Sequence, residues 1–288
     1  EKGLESLLHG NYSREPVNKT QNSLMNKIVK LYKGRYQGMN VAHFREKLIE
    51  CEKMENVPCY STLRNFLLKE KVISPVKKRT KRAHPRRKRY EREGVMVQID
   101  GSHHRWITGK LPSCLTLAID DATGKLLAGT FTKTETTFAA MDVVEQIIKE
   151  KGIFQLLYSD RAGIYGGGKR QGYSNMNRVM NQLGIHCLQA STPQAKGRIE
   201  RVFRTLQSRL IAEMRLANVT DLDSANRFLK EKFIPDFNRR FSVLANNQIP
   251  AYKNLPEEIN LTDIFCMIDD RVVHSGEVIN YGGKKYVL

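Results

Sequence analysis

Three acidic residues stand where a metal-dependent phosphoryl transfer would need them. Asp100 ends the apolar run Val95-Met96-Val97-Gln98-Ile99, and Asp160 ends a second run, Phe154-Gln155-Leu156-Leu157-Tyr158-Ser159, sixty residues later. Glu200 follows after forty more, near the start of an amphipathic stretch. Ligand sites in α/β sheets lie outside the carboxyl ends of strands, so if the two runs are neighbouring strands their acids are neighbours too. A helix crossing that edge adds the third acid. Three converging carboxylates repel one another unless cations sit among them. Hard oxygen ligands with open positions suit Mg2+, which keeps waters and binds phosphates. Two such ions about 4 Å apart stabilise both the attacking and the leaving oxygen of an in-line displacement. The competing reading of Glu200 is a solvated ion-pair face, because Lys196 lies one turn before it and Arg204 one turn after.

The elements that would position these acids are legible in the surrounding pattern. Val95–Asp100, Cys114–Asp120 and Leu126–Thr132 read as three strands, with a turn at Asp121-Ala122-Thr123-Gly124. A helix over Thr136–Lys149 carries Phe138, Met141, Val144, Ile147 and Ile148 on one stripe, and Gly152 closes it. Phe154–Asp160 is a fourth strand. A glycine-rich loop from Gly163 to Gly172, a short helix ending at Gly184 and a fifth strand, Ile185–Gln189, follow. Thr192-Pro193 signals a helix start, and Ile199, Val202, Phe203, Leu206, Leu210 and Met214 form its apolar stripe. The order β-β-β-α-β-α-β-α predicts a meander of three strands to which later units add strands parallel to the first. A further helix over 221–240, capped by Asp221 or Asp223, bends at Pro235. The last stretch reads as short strands at Phe265–Ile268, Arg271–Val273, Val278–Ile279 and Lys285–Val287.

Upstream, the composition changes. Residues 24–74 read as three helices, with Leu24, Ile28 and Leu31 on one face of the first and Leu63, Phe66 and Leu67 on the last. Short helices joined by a tight turn match a helix-turn-helix, in which the first residues of the last helix meet the major groove. Those residues are Tyr60, Ser61, Arg64 and Asn65, and Arg and Asn are the usual bidentate readers of guanine and adenine. Any small helical domain is the alternative. Between 75 and 92 stand Lys77, Lys78, Arg79, Lys81, Arg82, Arg86, Arg87, Lys88, Arg89 and Arg92 against Glu91 alone, half of the chain's net charge of +18. Such a run stays extended and suits a phosphate-tracking arm, with a solvated tail as the other reading.

The whole 288-residue chain carries a field that favours a polyanion, with nucleic acid first, although a ribosomal or anionic-membrane protein shares that balance. No apolar run approaches a membrane span and no secretory signal is visible, so the expectation is a soluble, cytoplasmic, nucleoid-associated protein with no membrane partner. Cys51, Cys59, Cys114, Cys187 and Cys266 are scattered and unpaired in spacing, which argues for reduced thiols. The chain begins at Glu1 rather than Met, so upstream sequence is expected to precede it.

Gln98-Ile99-Asp100-Gly101-Ser102, Tyr158-Ser159-Asp160-Arg161 and the run Ser191 to Arg201 resemble the three acidic motifs of DDE transposases and retroviral integrases. The similarity covers residues 24 to about 240, and it is strongest to bacterial insertion-sequence transposases that place helix-turn-helix modules before an integrase core. The resemblance implies a multidomain protein: an all-α helix-turn-helix domain over 24–74, a basic linker over 75–93, an α/β ribonuclease-H-like catalytic core over 94–240 and a small C-terminal β-barrel-like module over 241–288. Residues 1–23 are a linker or the tail of an upstream element. It implies Asp100, Asp160 and Glu200 as ligands of two Mg2+ ions, with Mn2+ able to substitute. It further implies water-driven nicking of double-stranded DNA at a transposon end, attack of the freed 3′-OH on target DNA, and at least a homodimer to synapse two ends. One departure is Ala162, where relatives usually carry a polar residue, often His, and integrases carry Asn-Gly after the second Asp.

Several residues keep two readings. His103 and His104 are a ligand or proton shuttle, or structural or phosphate contacts, with the second favoured; Asp120 and Asp121 are turn formers rather than ligands. If Glu200 holds metal, Lys196 and Arg204 are placed for DNA phosphate. Trp106 packs on the core or stacks on a base. The rival functions are a helix-turn-helix regulator on an inactive core, which needs no acids at these three places, and a ribonuclease of the same fold, which leaves the helical domain and the arm without a role.

Overall fold

The computed structural model describes residues 20–74, 87–160, 163–165, 174–190, 196–268, 271–273 and 278–287. Its contacts divide the chain into two compact units, Glu1–Ala83 and His84–Leu288. The basic residues Lys77, Lys78, Arg79, Lys81, Arg82 and Arg86, like Arg161, Ala162 and the Thr192-Pro193 signal, lie outside the described residues.

The first unit holds α1 (Asn22–Lys33), α2 (Val41–Glu50) and α3 (Tyr60–Lys69). The Asn40 side chain caps α2 by accepting the His43 N–H at 2.9 Å. Met25, Ile28, Tyr32, Phe44, Leu48, Leu63 and Leu67 form its core. The buried face of α1 is therefore rotated from the Leu24–Ile28–Leu31 face expected. Tyr32 decides this: its ring meets Phe44 edge-on with centroids 4.9 Å apart, and its hydroxyl donates to the Met39 carbonyl at 2.8 Å. The connection from α2 to α3 is longer than the expected tight turn, spanning 51–59. It is tied down by Glu52, which accepts the Tyr36 hydroxyl at 2.6 Å, and by Arg45, whose Nε donates to the Pro58 carbonyl at 2.9 Å.

The second unit is built on a five-stranded mixed sheet of β1 (Met96–His104), β2 (Ser113–Asp120), β3 (Leu126–Thr132), β4 (Leu156–Ser159) and β5 (His186–Gln189), in the order β3-β2-β1-β4-β5. The meander pairs antiparallel, and β4 and β5 add parallel to β1, as the element order predicts. Period-2 alternation sorts the side chains. Val97, Ile99 and Ala118 join one core with α4 (Thr137–Lys151) and α5 (Asn175–Gln182). Leu115, Leu117 and Ile119 join the other with α6 (Gly197–Leu216), α7 (Leu222–Phe228) and α8 (Ile234–Phe241). Trp106 belongs to this second core: it is fully buried and its indole N–H donates to the Ser102 carbonyl at 2.9 Å.

The helix ends follow local chemistry. Thr136 caps α4, and Gly152 closes it at φ +99°, where a Cβ would lie 2.4 Å from the Lys253 carbonyl oxygen. Asp221 and Ser224 form a reciprocal capping box on α7. The expected bend at Pro235 is a π-turn over Leu229–Phe233, in which the Ile234 N–H reaches back to the Leu229 carbonyl just before the residue that lacks a donor. At the sheet edge, the Asn238 amide spans the Leu126 N–H and C=O at 2.7 and 2.8 Å, and Asn226 does the same at Phe131. Backbone groups that no strand pairs are thereby satisfied.

The C-terminal stretch departs from expectation. Among the described residues, Phe265–Ile268 and Arg271–Val273 are not strands. Phe265 packs on the first core beside the short α9 (Leu261–Ile264), and the Arg178 guanidinium takes the Ile264 and Cys266 carbonyls that a ladder would have used. Among the described residues of 265–288, the strands form one hairpin of β6 (Val278–Tyr281) and β7 (Lys284–Val287), joined through Gly282 and Gly283, both at positive φ.

Candidate active site

The parallel register of β1 and β4 pairs Gln98 with Tyr158. Two residues further along lie Asp100 on β1 and Asp160 just past β4, so the sheet brings the two acids side by side. Alternation turns Asp100 toward the face covered by α6. Lys196, just before that helix, bridges them: its Nζ lies 2.7 Å from Asp100 Oδ1 and 3.3 Å from Asp160 Oδ2. Its side chain is 11% exposed, that of Asp100 17% and that of Asp160 41%. Asp100 Oδ1 also accepts the Gly101 N–H at 3.0 Å.

Burial pushes the Asp100 carboxyl above its ordinary value against the pull of Lys196, and the charge of Asp160 adds to the rise. Burial pulls the Lys196 ammonium down, but the hydrogen bond and charge of Asp100, with Asp160 behind it, outweigh burial and hold it above its ordinary value. These directions oppose each other across one contact. We read the pair as ionised, because a neutral Asp100 would give Lys196 no reason to hold its proton in a buried place.

A further carboxylate, which the sequence reading passed over, stands beside the pair. Glu135 precedes the cap of α4, and a Cβ built on Gly101 would lie 2.5 Å from its Oε1. Burial raises its carboxyl, and then the negative charges of Asp160 and Asp100 raise it further. Its position had a signal: in a three-strand meander the third strand runs parallel to the first, so Glu135 leaves the sheet at the edge where Asp100 and Asp160 end.

Glu200 lies on the first turn of α6, exposed, on one stripe with Lys196 and Arg204. Among the described residues no group of three or more His, Cys, Asp or Glu side chains gathers closely enough to hold a metal ion. Lys196 is thus placed on the two aspartates rather than on Glu200, whereas Arg204 is exposed. His103 and His104 are exposed at the end of β1.

Of the two acids expected to form the turn after β2, one does so and the other is an ionic hub. Asp120 does form the turn, accepting the Thr123 N–H and hydroxyl, both at 2.7 Å. Asp121 is fully buried instead, and its carboxylate takes Arg87, Arg198, the Gln98 amide at 2.5 Å and the Tyr90 N–H at 3.1 Å. Arg87 and Arg89, read as arm residues, are engaged within this unit: Arg87 on Asp121, and Arg89 on the carbonyls of Asp121 and Ala122 at 3.2 and 3.0 Å. Lys88 between them is exposed. In the first unit Tyr60, Ser61 and Asn65 are exposed at the start of α3 and Arg64 is half-buried.

No protein-family model matches the chain. It is 32% identical to the "Transposase for insertion sequence IS1202" of Streptococcus pneumoniae, over 100% of this chain and 69% of that protein. It is 30% identical to the "Putative transposase y4bF" of Sinorhizobium fredii, over 99% of this chain and 63% of that protein. The chain therefore spans about two thirds of the length of these relatives. Among solved structures it is similar to the HTLV-2 integrase catalytic core domain in complex with magnesium, at 17% identity and a TM-score of 0.38, over 47% of this chain and 82% of that one. It is also similar to a chain of the simian T-cell lymphotropic virus intasome in complex with the PP2A regulatory subunit B56 gamma, at 17% identity and a TM-score of 0.45, over 81% and 78%.

Proposed function

The chain belongs to the insertion-sequence transposases, and from that premise we propose that it nicks DNA at an element's end and joins the freed 3′ end to target DNA through a carboxylate site formed by Asp100, Asp160 and Glu200. The observation that carries this reading is the single cation bridging two acids on adjacent strands: Lys196 Nζ within 3.3 Å of both. A place that gathers carboxylates tightly enough to need one cation offers a donor set of the hard oxygen type that suits Mg2+. Glu135 beside the pair increases the same negative field.

Asp100, Asp160 and Glu200 would hold the metal. Magnesium ions bound there supply Lewis-acid stabilisation of the oxygens that enter and leave phosphorus. The chain's own residues do the rest. Burial of Asp100 keeps that carboxylate fixed on β1, and Lys196 holds the two aspartates to one geometry. Arg204, exposed one turn beyond Glu200, lies where a DNA phosphate would pass. In the first unit, Arg64 and Asn65 read bases from the first half of α3, and Tyr60 and Ser61 fix its register; their support is the exposure of Tyr60, Ser61 and Asn65 on that helix. Lys88 and the basic residues before it contribute sequence-independent attraction. Two ends must be brought together for joining, so the working species is a homodimer or larger.

The test is incubation of the protein with end-bearing duplex and Mg2+, followed by strand-resolved electrophoresis. A nick that leaves a 3′-OH at the element boundary is the expected product. A folded protein that binds the duplex yet leaves both strands intact with Mg2+ and with Mn2+ would instead be a DNA-binding regulator on an inactive core.

A further inference from the structure

A cavity of about 200 Å³ lies between the turn after β2, α6 and α8. Three guanidinium groups line it, those of Arg89, Arg198 and Arg201, beside Phe237 and Phe241. Arg198 and Arg201 share a face of α6 with Val202 and Thr205, at i, i+3, i+4 and i+7. Lys196, Glu200 and Arg204 occupy the opposite stripe, so the cavity is separate from the carboxylate edge.

The charges around it do not balance. Asp121 is a single buried carboxylate shared by Arg87 and Arg198. The Asp120 carboxylate is spent on other donors, accepting from the Gly94 N–H ahead of β1 and from Thr123 in its own turn. Arg89 spends Nη1 on two backbone carbonyls, which neutralise nothing. Arg201 is exposed and makes no ion pair among the described residues. Cations therefore outnumber anions at the cavity wall. The Arg89 guanidinium records this: burial lowers it, the neighbouring Arg198 lowers it further, and Arg201 adds to that against the pull of Asp121 and Asp120.

We propose that this cavity is a phosphate-binding subsite, in which Arg89 and Arg201 close on one phosphate group and Arg198, held by Asp121 and the Arg87 carbonyl, lends its charge to the wall. Guanidinium forks match phosphate oxygens geometrically and stay charged at any working pH. The space suits one phosphate and its nearest waters, not a duplex. Arg89 and Arg201 are exposed, so the group can be carried in from solvent or presented by a duplex lying across the opening. The second source rests on the DNA-acting reading above; the first does not.

The test compares the wild type with Arg201→Gln, a substitution at an exposed side chain with no ion pair to lose. Trp106 emission checks that the fold is kept. In one arm, thermal midpoints are read in inorganic phosphate and in chloride at equal ionic strength. In the other, binding to a random-sequence duplex is titrated over a salt series. If the phosphate belongs to DNA, Arg201→Gln lowers the log–log salt slope by about 0.9, one contact's worth. If it belongs to a small phosphate compound, phosphate raises the wild-type midpoint, the variant loses that rise, and the slope is unchanged. Should phosphate act equally on both proteins while the slopes coincide, the cavity is not a phosphate site. Nicking is not measured in either arm, so failure of the catalytic reading and failure of this subsite are separate results.

Discussion

Replacing Asp121 by Asn tests whether the hub at the β2–β3 turn is held as an ion. The side chain is 0% exposed, Arg198 is 15% exposed and Arg87 43%. The Arg87 pair is open to water and is worth about 0–1 kcal/mol. The Arg198 pair is not, and removing one partner of a buried pair costs about 3–5 kcal/mol, because the other charge stays behind unpaired. Asn keeps one acceptor for the arginines and Gln98, but its amide nitrogen would face the Tyr90 N–H, a donor against a donor. That mismatch works in the same direction. The expected loss is therefore about 3–5 kcal/mol. At roughly 2–4 °C per kcal/mol for a unit of this size, the midpoint should fall by about 6–20 °C. Trp106 is the only Trp and is fully buried in the second unit, so its fluorescence during urea unfolding reports that unit. A loss below about 1 kcal/mol would mean that Asp121 acts as a hydrogen-bonded turn residue and that its charge is dispensable.

Three further outcomes follow from the geometry. Asn238→Leu should cost about 1–3 kcal/mol in the same urea titration, since the Leu126 N–H and C=O lose both partners at the sheet edge; an unchanged midpoint would show that water replaces the amide. Hydrogen bonds from Ser61 and Thr62 lower the exposed Cys59 thiol to about 6, whereas burial pushes Cys114 and Cys187 up to about 11; the thiolate form of Cys59 predominates above pH 6, so iodoacetamide at pH 7 should label Cys59 ahead of those two by mass spectrometry, and labelling that starts at Cys187 would contradict the assignment. Arg64→Ala or Asn65→Ala should weaken binding to end DNA by about 1–3 kcal/mol and leave scrambled DNA unaffected; an equal loss on both, with a shallower salt slope, would make the residue a phosphate contact.

The sheet was legible because its strands are apolar runs bounded by turn chemistry, and the element order fixes which of them run parallel. The reading of β1 stopped at Asp100, where polarity begins, yet the strand continues to His104 because Gly101 through His104 pair with Thr116 back to Ser113. Backbone ladders do not require apolar side chains. The C-terminal pieces failed for the opposite reason: short apolar segments such as Phe265–Ile268 carry no period, and Phe265 was drawn to the core as coil. Asp100 and Asp160 could be brought together on paper, because each closes an apolar run and the two runs pair. Glu135 ends no apolar run, and only topology places it beside them. Asp121 looked like its neighbour Asp120, and nothing local distinguishes a turn aspartate from one that meets an arginine 77 residues away. The bridge of Lys196 to both aspartates was hidden in the same way, since helical spacing alone pointed the lysine at Glu200.

The central claim is that the carboxylates of Asp100 on β1 and Asp160 just after β4 carry the strand-joining chemistry. It is tested most directly with Asp160→Ala, a change at a side chain that is 41% exposed and so should leave folding intact. Strand transfer from a pre-nicked end duplex into plasmid, with Mg2+, is measured beside duplex affinity by fluorescence anisotropy. The account predicts that transfer falls to background while affinity for the duplex is retained. Transfer by Asp160→Ala at close to the wild-type rate would contradict it.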